Sequence, residues 1–281
     1  VDASNPFKNK TVIITGGSAG VGAAAARRFA SAGANLVLVA RNKKNLEVIA
    51  EELRPQTRVM IVAMDVCDPD ACMNLFKKAE YEFELIHYLI NNAGFHARGP
   101  VLRQTPEDLA RMIDVNIKAP ILLSRAAIPY LEKAGGGAIV NVASLAGRLP
   151  LANAATYSAS KFALRAFTFG LGEELAGTGI KLAAVSPGPI DTGFIMDNID
   201  IVADITFSQP LSTADEVAVE IMKLAVNDKR ERSMPPASGL LTHVNYLFPG
   251  VARLLRPLME RRGRAVKRQL KEQMRAKADN D

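Results

Sequence analysis

Six short runs of β-branched and aliphatic residues punctuate the chain, at 11–15, 35–40, 58–64, 86–90, 138–142 and 181–185. Each is nearly continuous in apolar character, which suits strands buried on both faces of a parallel sheet. Longer segments with helical spacing lie between them. An alanine-rich run follows Gly22 and stops at Gly33. A long stretch opens at Thr105 with a Thr-Pro-Glu-Asp start signal and carries Asn116 in its middle. Another runs from Tyr157 to Gly177, and a further one starts at Ser212 and ends near Asn227. Strands and helices alternating in this way predict an α/β fold with a doubly wound parallel sheet. At 281 residues and 48% hydrophobic content, the chain suits one large domain with a full core.

The candidate chemistry falls at the C-terminal ends of these strands, where open α/β sheets bind ligands. Gly16, Gly20 and Gly22 stand in the turn between the first strand and its helix. Backbone N–H groups and the helix dipole form a phosphate cradle there, and the missing side chains let a pyrophosphate come close. After the second strand, an NAD-selective fold would place Asp or Glu on the ribose hydroxyls, yet this chain has Ala40-Arg41-Asn42-Lys43-Lys44. A guanidinium matches a 2′-phosphate, so NADP(H) is the expected cofactor. Asparagine has poor propensity in a helix interior, so Asn116 suggests a specific task.

Tyr157 and Lys161 share a helix face, and Ser144 precedes them in a turn after the fifth run. A phenol titrates near about 10, and an ammonium one turn away favours the phenolate, moving the tyrosine toward acid–base work at neutral pH. A Tyr and a Lys at this spacing also occur in ordinary helices, so the assignment leans on the other motifs. His87 reads as structural, and His96 equally as a cleft or a surface residue.

TGGSAGVG, NNAG, Asn116, Ser144, YSASK and PGPIDT follow one another from about residue 11 to 192. In their order and spacing the chain resembles the short-chain dehydrogenase/reductase family. The resemblance implies a Rossmann fold and an NADP(H)-dependent oxidoreductase that interconverts a carbonyl and a secondary alcohol. It implies Tyr157 as general acid/base, Ser144 polarising the substrate oxygen, Lys161 on the nicotinamide ribose, and Asn116 holding a water that links Lys161 to solvent. For the cofactor it implies Gly16, Ser18, Gly20, Val21 and Gly22 at the phosphates and Arg41 at the 2′-phosphate. Asp65 and Val66 would meet the adenine, Asn91 the ribose side, and Ile190 and Thr192 the nicotinamide, with Ala93, Gly94, Pro187 and Gly188 beside them. Sugar-nucleotide epimerases share the tyrosine and lysine but space their glycines differently and carry a larger C-terminal domain. A cofactor-binding regulator without chemistry would be free to lose Ser144, Tyr157 or Lys161, and all three are present.

Charge changes the picture only at the end of the chain. Residues 251–281 hold ten Lys/Arg against four Asp/Glu, which accounts for the whole net charge of +6. The body is neutral and offers no basic, aromatic-interleaved face for nucleic acid. Cys67 and Cys72 read as reduced thiols in a cytoplasmic protein, the three histidines are too scattered for a metal site, and the first residues contain no apolar signal segment. The catalytic domain is expected over 1–228, with a substrate lid at about 193–212 whose apolar residues suggest a lipid-like substrate; half of those residues should pack on the body instead.

Residues 229–281 are expected to form a helical extension. Its uncharged part, 233–252, is broken by prolines and glycines and cannot be a transmembrane helix. An amphipathic pattern follows, with Val251, Leu254, Leu255, Leu258 and Met259 on one face and arginines off it. A second copy in a homodimer or homotetramer, the cleft rim, or peripheral contact with an anionic membrane would each cover that face. Residues from about 271 are expected to fray.

Overall fold

The computed structural model describes residues 5–278; expectations for residues 1–4 and 279–281 lie outside the described residues. The six apolar runs form β1 (Thr11–Thr15), β2 (Asn35–Ala40), β3 (Val59–Ala63), β4 (Tyr88–Asn91), β5 (Gly137–Val142) and β6 (Ile180–Pro187). Two-residue strands β7 (Ile190–Asp191) and β8 (Ser212–Thr213) pair with each other. A further strand, β9 (Glu231–Met234), joins β6 and completes a seven-stranded sheet ordered β3-β2-β1-β4-β5-β6-β9. All its pairings are parallel. The sheet thus reaches past residue 228, into the stretch expected as an extension. Glu231-Arg-Ser-Met lacks an apolar run, as an edge strand can, and so gives no strand signal.

The helices are α1 (Gly20–Ser31), α2 (Lys43–Leu53), α3 (Pro69–Phe83), α4 (Pro106–Ile113), α5 (Ala119–Lys133), α6 (Ala155–Glu174), the single turn α7 (Gly193–Met196), α8 (Ala214–Val226), α9 (Pro236–Leu247) and α10 (Pro249–Ala278). The pleat of the sheet divides the core between its two faces. Val12 and Ile14 pack with α1, α2 and α8, whereas Ile13 packs with α3 and α5. β1 stands where the strand order reverses, with β2 to one side and β4 to the other. A crevice opens at such a switch point, beyond the carboxyl ends of the strands.

The long helical stretch from Thr105 is not continuous. Thr105 caps α4 by accepting the Asp108 N–H at 3.1 Å. A π-helical turn, Asp114–Lys118, then separates α4 from α5, and Asn116 sits inside it. The wider turn swings that asparagine inward, a device frequent at functional sites.

The end of the chain differs most from expectation. Residues 271–278 continue α10 as regular helix rather than fraying. The face α10 buries is a later one than the leucine stripe suggests. Val266 and Leu270 pack on a small separate core of Ile195, Ile199, Val202 and Phe207. Leu254 and Leu258 stay 80% and 68% exposed. Ile195, Ile199, Val202 and Phe207 of the lid thus fill the lid's own core, with Met196 packed against them.

Candidate active site

Helix α6 and the turn before it set the reactive group. Ser144 leaves β5 extended, accepts the Ala146 N–H at 3.1 Å, donates to the Pro187 carbonyl at 3.4 Å and stands beside the Tyr157 phenol. The Ser144 turn lies directly on α6, because a Cβ at Gly147 would stand 2.6 Å from the Lys161 carbonyl oxygen. Lys161 is buried, donates to the Val142 carbonyl at 2.9 Å, and holds its ammonium 5.9 Å from the Tyr157 ring centre. Burial lowers its pKa to about 8.

Tyr157 keeps part of its surface in the cleft, yet its dense surroundings raise the phenol pKa. The Ser144 hydroxyl and the positive charge of Arg98 pull it partly back.

Asn116 uses its amide to hold the loop after β4. Its Oδ1 accepts the Phe95 N–H at 2.8 Å, and its Nδ2 donates to the Phe95 carbonyl at 2.8 Å and to Ser160 Oγ at 3.1 Å. Next along that loop, the His96 ring stacks on the Tyr157 ring with centroids 4.0 Å apart. Burial lowers the His96 pKa to about 3, helped by the charges of Arg98 and Lys161, so the imidazole is neutral at physiological pH.

The glycine turn makes the other end of the cleft. Gly22 must lack a side chain, because a Cβ would overlap the Gly16 carbonyl. Thr15 Oγ1 accepts the N–H groups of Asn92 and Ala93 at 3.0 Å each, and Asn92 Nδ2 donates to the Thr15 carbonyl at 2.9 Å, tying the turn to the end of β4. Ala19, the residue before α1, gives the helix no side-chain cap, and no acidic residue lies in its first turn. Those open amides at a helix N-terminus suit a phosphate. The residues present therefore fit an extended dinucleotide between Gly16 and Lys161.

Gly16, Ser18, Gly20, Val21, Ala93, Gly94, Pro187, Gly188, Ile190 and Thr192 line one cleft of about 980 Å3 together with Ser144, Tyr157 and Lys161. The other expected residues stand apart from its wall. Asp65 binds Arg111 at 2.8 Å and accepts the Cys67 N–H at 3.0 Å, and Val66 lies in the core. Asn91 is turned into a buried polar group, donating to Asn141 Oδ1 at 2.9 Å and Ser124 Oγ at 3.3 Å. Arg41 is exposed just past β2. Cys67 and Cys72 are free, with thiols pushed up to about 11 by burial.

The roof of the cleft comes from late in the chain and is largely apolar, with Phe194 and Ile205 of the lid, Leu241 and Tyr246 of α9 and Met259 of α10, while Arg253 and Arg256 of α10 add charge to it. Thr15 and Asn92 stand inside the TGGSAGVG and NNAG motifs without a role of their own in the sequence, and Arg98 belongs to no motif. The available signal was position alone: polar residues at or just past the end of a parallel strand.

Residues 10–200 match the family model described as short chain dehydrogenase. The chain belongs to the short-chain dehydrogenase/reductase family. An uncharacterized oxidoreductase of Staphylococcus epidermidis is 37% identical over 66% of this chain and 80% of its own length. Sulfoacetaldehyde reductase 2 of Chromohalobacter salexigens is 39% identical over 66% of this chain and 74% of its own. An uncharacterized oxidoreductase of Staphylococcus saprophyticus aligns over 82% of this chain and 95% of its own, at 34% identity. The protein is thus an oxidoreductase of a family that uses nicotinamide dinucleotides. Among the described residues no helix is long and apolar enough to cross a membrane.

Proposed function

We propose that this short-chain dehydrogenase/reductase interconverts apolar, lipid-like carbonyl compounds and their secondary alcohols with NADP(H), working mainly as a reductase. The observation that carries the reading is one cleft joining uncapped α1 amides, the Ser144–Tyr157–Lys161 group and an apolar roof. A nicotinamide held in this cleft would supply the hydride for reduction and accept it in oxidation. Ser144 holds the substrate oxygen, and Tyr157 gives it a proton in reduction. Lys161, poised near neutrality, holds the ribose and returns the proton, with Asn116 holding the water that leads to solvent. Arg41 and the lysines after it stand where a 2′-phosphate would lie past β2. Asp65, Val66 and Asn91 serve the adenosine half by shape, since their side chains are engaged elsewhere. One relative is named for reducing an aldehyde, which agrees with the reductive direction.

The protein is proposed to act in the cytoplasm as a homodimer or homotetramer. A second copy would cover the exposed Leu240, Leu247, Phe248, Leu254 and Leu258. Arginines 253, 256, 261 and 262 beside them favour a second reading, contact with an anionic membrane, which salt-sensitive sedimentation with vesicles would reveal.

The decisive measurement is cofactor oxidation against a panel of ketolipids, steroids and small aldehydes. NADPH should outperform NADH by at least about tenfold, and Arg41→Asp should reverse that preference. Unchanged NADPH affinity in the variant would move the 2′-phosphate away from Arg41, and no turnover of any carbonyl would end the reductase assignment.

A further inference from the structure

Arg98 is a costly residue for its position. It lines the cleft beside His96 and Tyr157, and burial lowers its pKa. Its guanidinium lies 5.2 Å from the Phe194 ring centre, and one N–H donates to the Phe194 carbonyl at 2.5 Å. None of the ion pairs among the described residues includes it, whereas Arg148 and Arg165, in the same half of the molecule, share Glu231. A guanidinium carries five donors, and anchoring the lid explains one of them. A half-buried guanidinium with no carboxylate beside it keeps donors free for an anionic ligand.

His96 carries a matching vacancy. Its Nε2 is buried and has no hydrogen-bond partner, while its ring is held flat against Tyr157. A neutral imidazole with its proton on Nε2 offers one more donor, without adding charge. The loop that presents both residues is anchored at Phe95 by Asn116.

We propose that His96 and Arg98 form an oxyanion-binding subsite next to the Tyr157 phenol. The substrate class is then a carbonyl compound with a carboxylate- or sulfonate-type group a few bonds from the reacting carbon and its apolar remainder under the roof. Arginine is the side chain whose fork geometry matches such a group with two parallel bonds. This rests on the reductase reading above and narrows it.

The test compares a medium-chain oxo acid with its own methyl ester, using the full chain with NADPH. The wild type should favour the acid at least about tenfold in kcat/KM, and Arg98→Met should remove that preference, mainly through KM, the acid losing at least about tenfold more than the ester. Arg98→Lys should recover part of it, since charge returns without the fork. A wild type indifferent to the ester, or an Arg98→Met enzyme that loses both substrates equally, would overturn the subsite and leave Arg98 as a lid anchor. Calorimetric binding of the same pair to the cofactor-loaded protein reads the subsite without turnover. Tighter binding of the acid with no reduction of either compound would keep the subsite and defeat the reductase reading. Equal binding of acid and ester by the wild type overturns the subsite even if the variants fail to fold.

Discussion

Residues 11–192 build the floor of the cleft from polar side chains with specific short-range partners, whereas residues 193–278 build its roof largely from apolar packing and ion pairs. On the floor, Lys161 reaches one carbonyl, Asn116 clasps one backbone residue from both sides, and Thr15 gathers two N–H groups. In the roof, Asp204 is shared by Arg264 at 3.1 Å and Lys267 at 3.3 Å, and Lys271 pairs with Asp200. Several arrangements of lysine, arginine and leucine would close the roof equally well. Catalysis therefore depends on the floor at single-atom level, while the roof can vary to suit the substrate.

The largest effect is expected from breaking the floor. Tyr157→Phe removes the proton donor while keeping the ring that stacks on His96. Turnover should fall by about a hundredfold or more, the range of general acid–base loss, with NADPH affinity nearly unchanged. Steady-state kinetics with a fluorescence titration of the cofactor checks both halves. A variant with near wild-type turnover would place the proton transfer elsewhere.

Next in size is the joint between floor and roof. Glu231 of β9 takes Arg148 at 2.7 Å, Arg165 at 3.0 Å and the Ser186 hydroxyl at 2.8 Å. Arg148 belongs to the turn after Ser144 and also donates to the Gly239 carbonyl of α9 at 3.1 Å. Glu231→Ala strands two buried or half-buried guanidinium groups, at a cost of about 3–5 kcal/mol. The pH dependence follows from the sign of the shift. Despite burial, which acts the other way, the bonds from Arg148, Arg165 and Ser186 bring the Glu231 pKa down from 4.5 to about 2. Its stabilisation is complete above the unfolded value and is lost as pH falls through about 2. Urea melts should therefore show a wild-type advantage that is constant near neutrality and shrinks below pH 4.5. A gap that persists unchanged into acid would mean the residue acts through packing.

The same contrast decides what could be read from the sequence. Glycine turns, strand runs and the Ser144–Tyr157–Lys161 spacing are local patterns, and they announce the floor without coordinates. Asn116 was legible as an oddity, because a poor helix former inside a helix needs a reason, and the π-helical turn supplies it. β9 was not legible, since Glu231 stabilises the edge through Arg148 and Arg165, far away in sequence. The helix places Tyr157 and Lys161 on one face, whereas Arg98, a second cation beside the phenol, comes from a loop more than fifty residues upstream. In α10 the leucine stripe pointed to one face, and the small residue Gly263 marks the face that docks.

That docking supplies the subtlest test of the roof. Gly263 is buried where α10 crosses the lid, and a Cβ there would overlap the Asp204 carbonyl. In a solvent-exposed helix, Gly→Ala stabilises by about 1 kcal/mol, because alanine loses less backbone freedom. If α10 packs as described, Gly263→Ala instead overpacks the crossing and destabilises by about 1–3 kcal/mol. The lid would lift with the helix, because Lys267 also holds the Val202 carbonyl at 2.7 Å. Amide exchange over residues 193–212 should quicken, and KM for long apolar substrates should rise, while short aldehydes and NADPH binding stay near wild type. The sign alone settles the matter. A stabilised variant with unchanged exchange in the lid would mean that α10 stands free of the cleft, and the apolar roof would then end at α9.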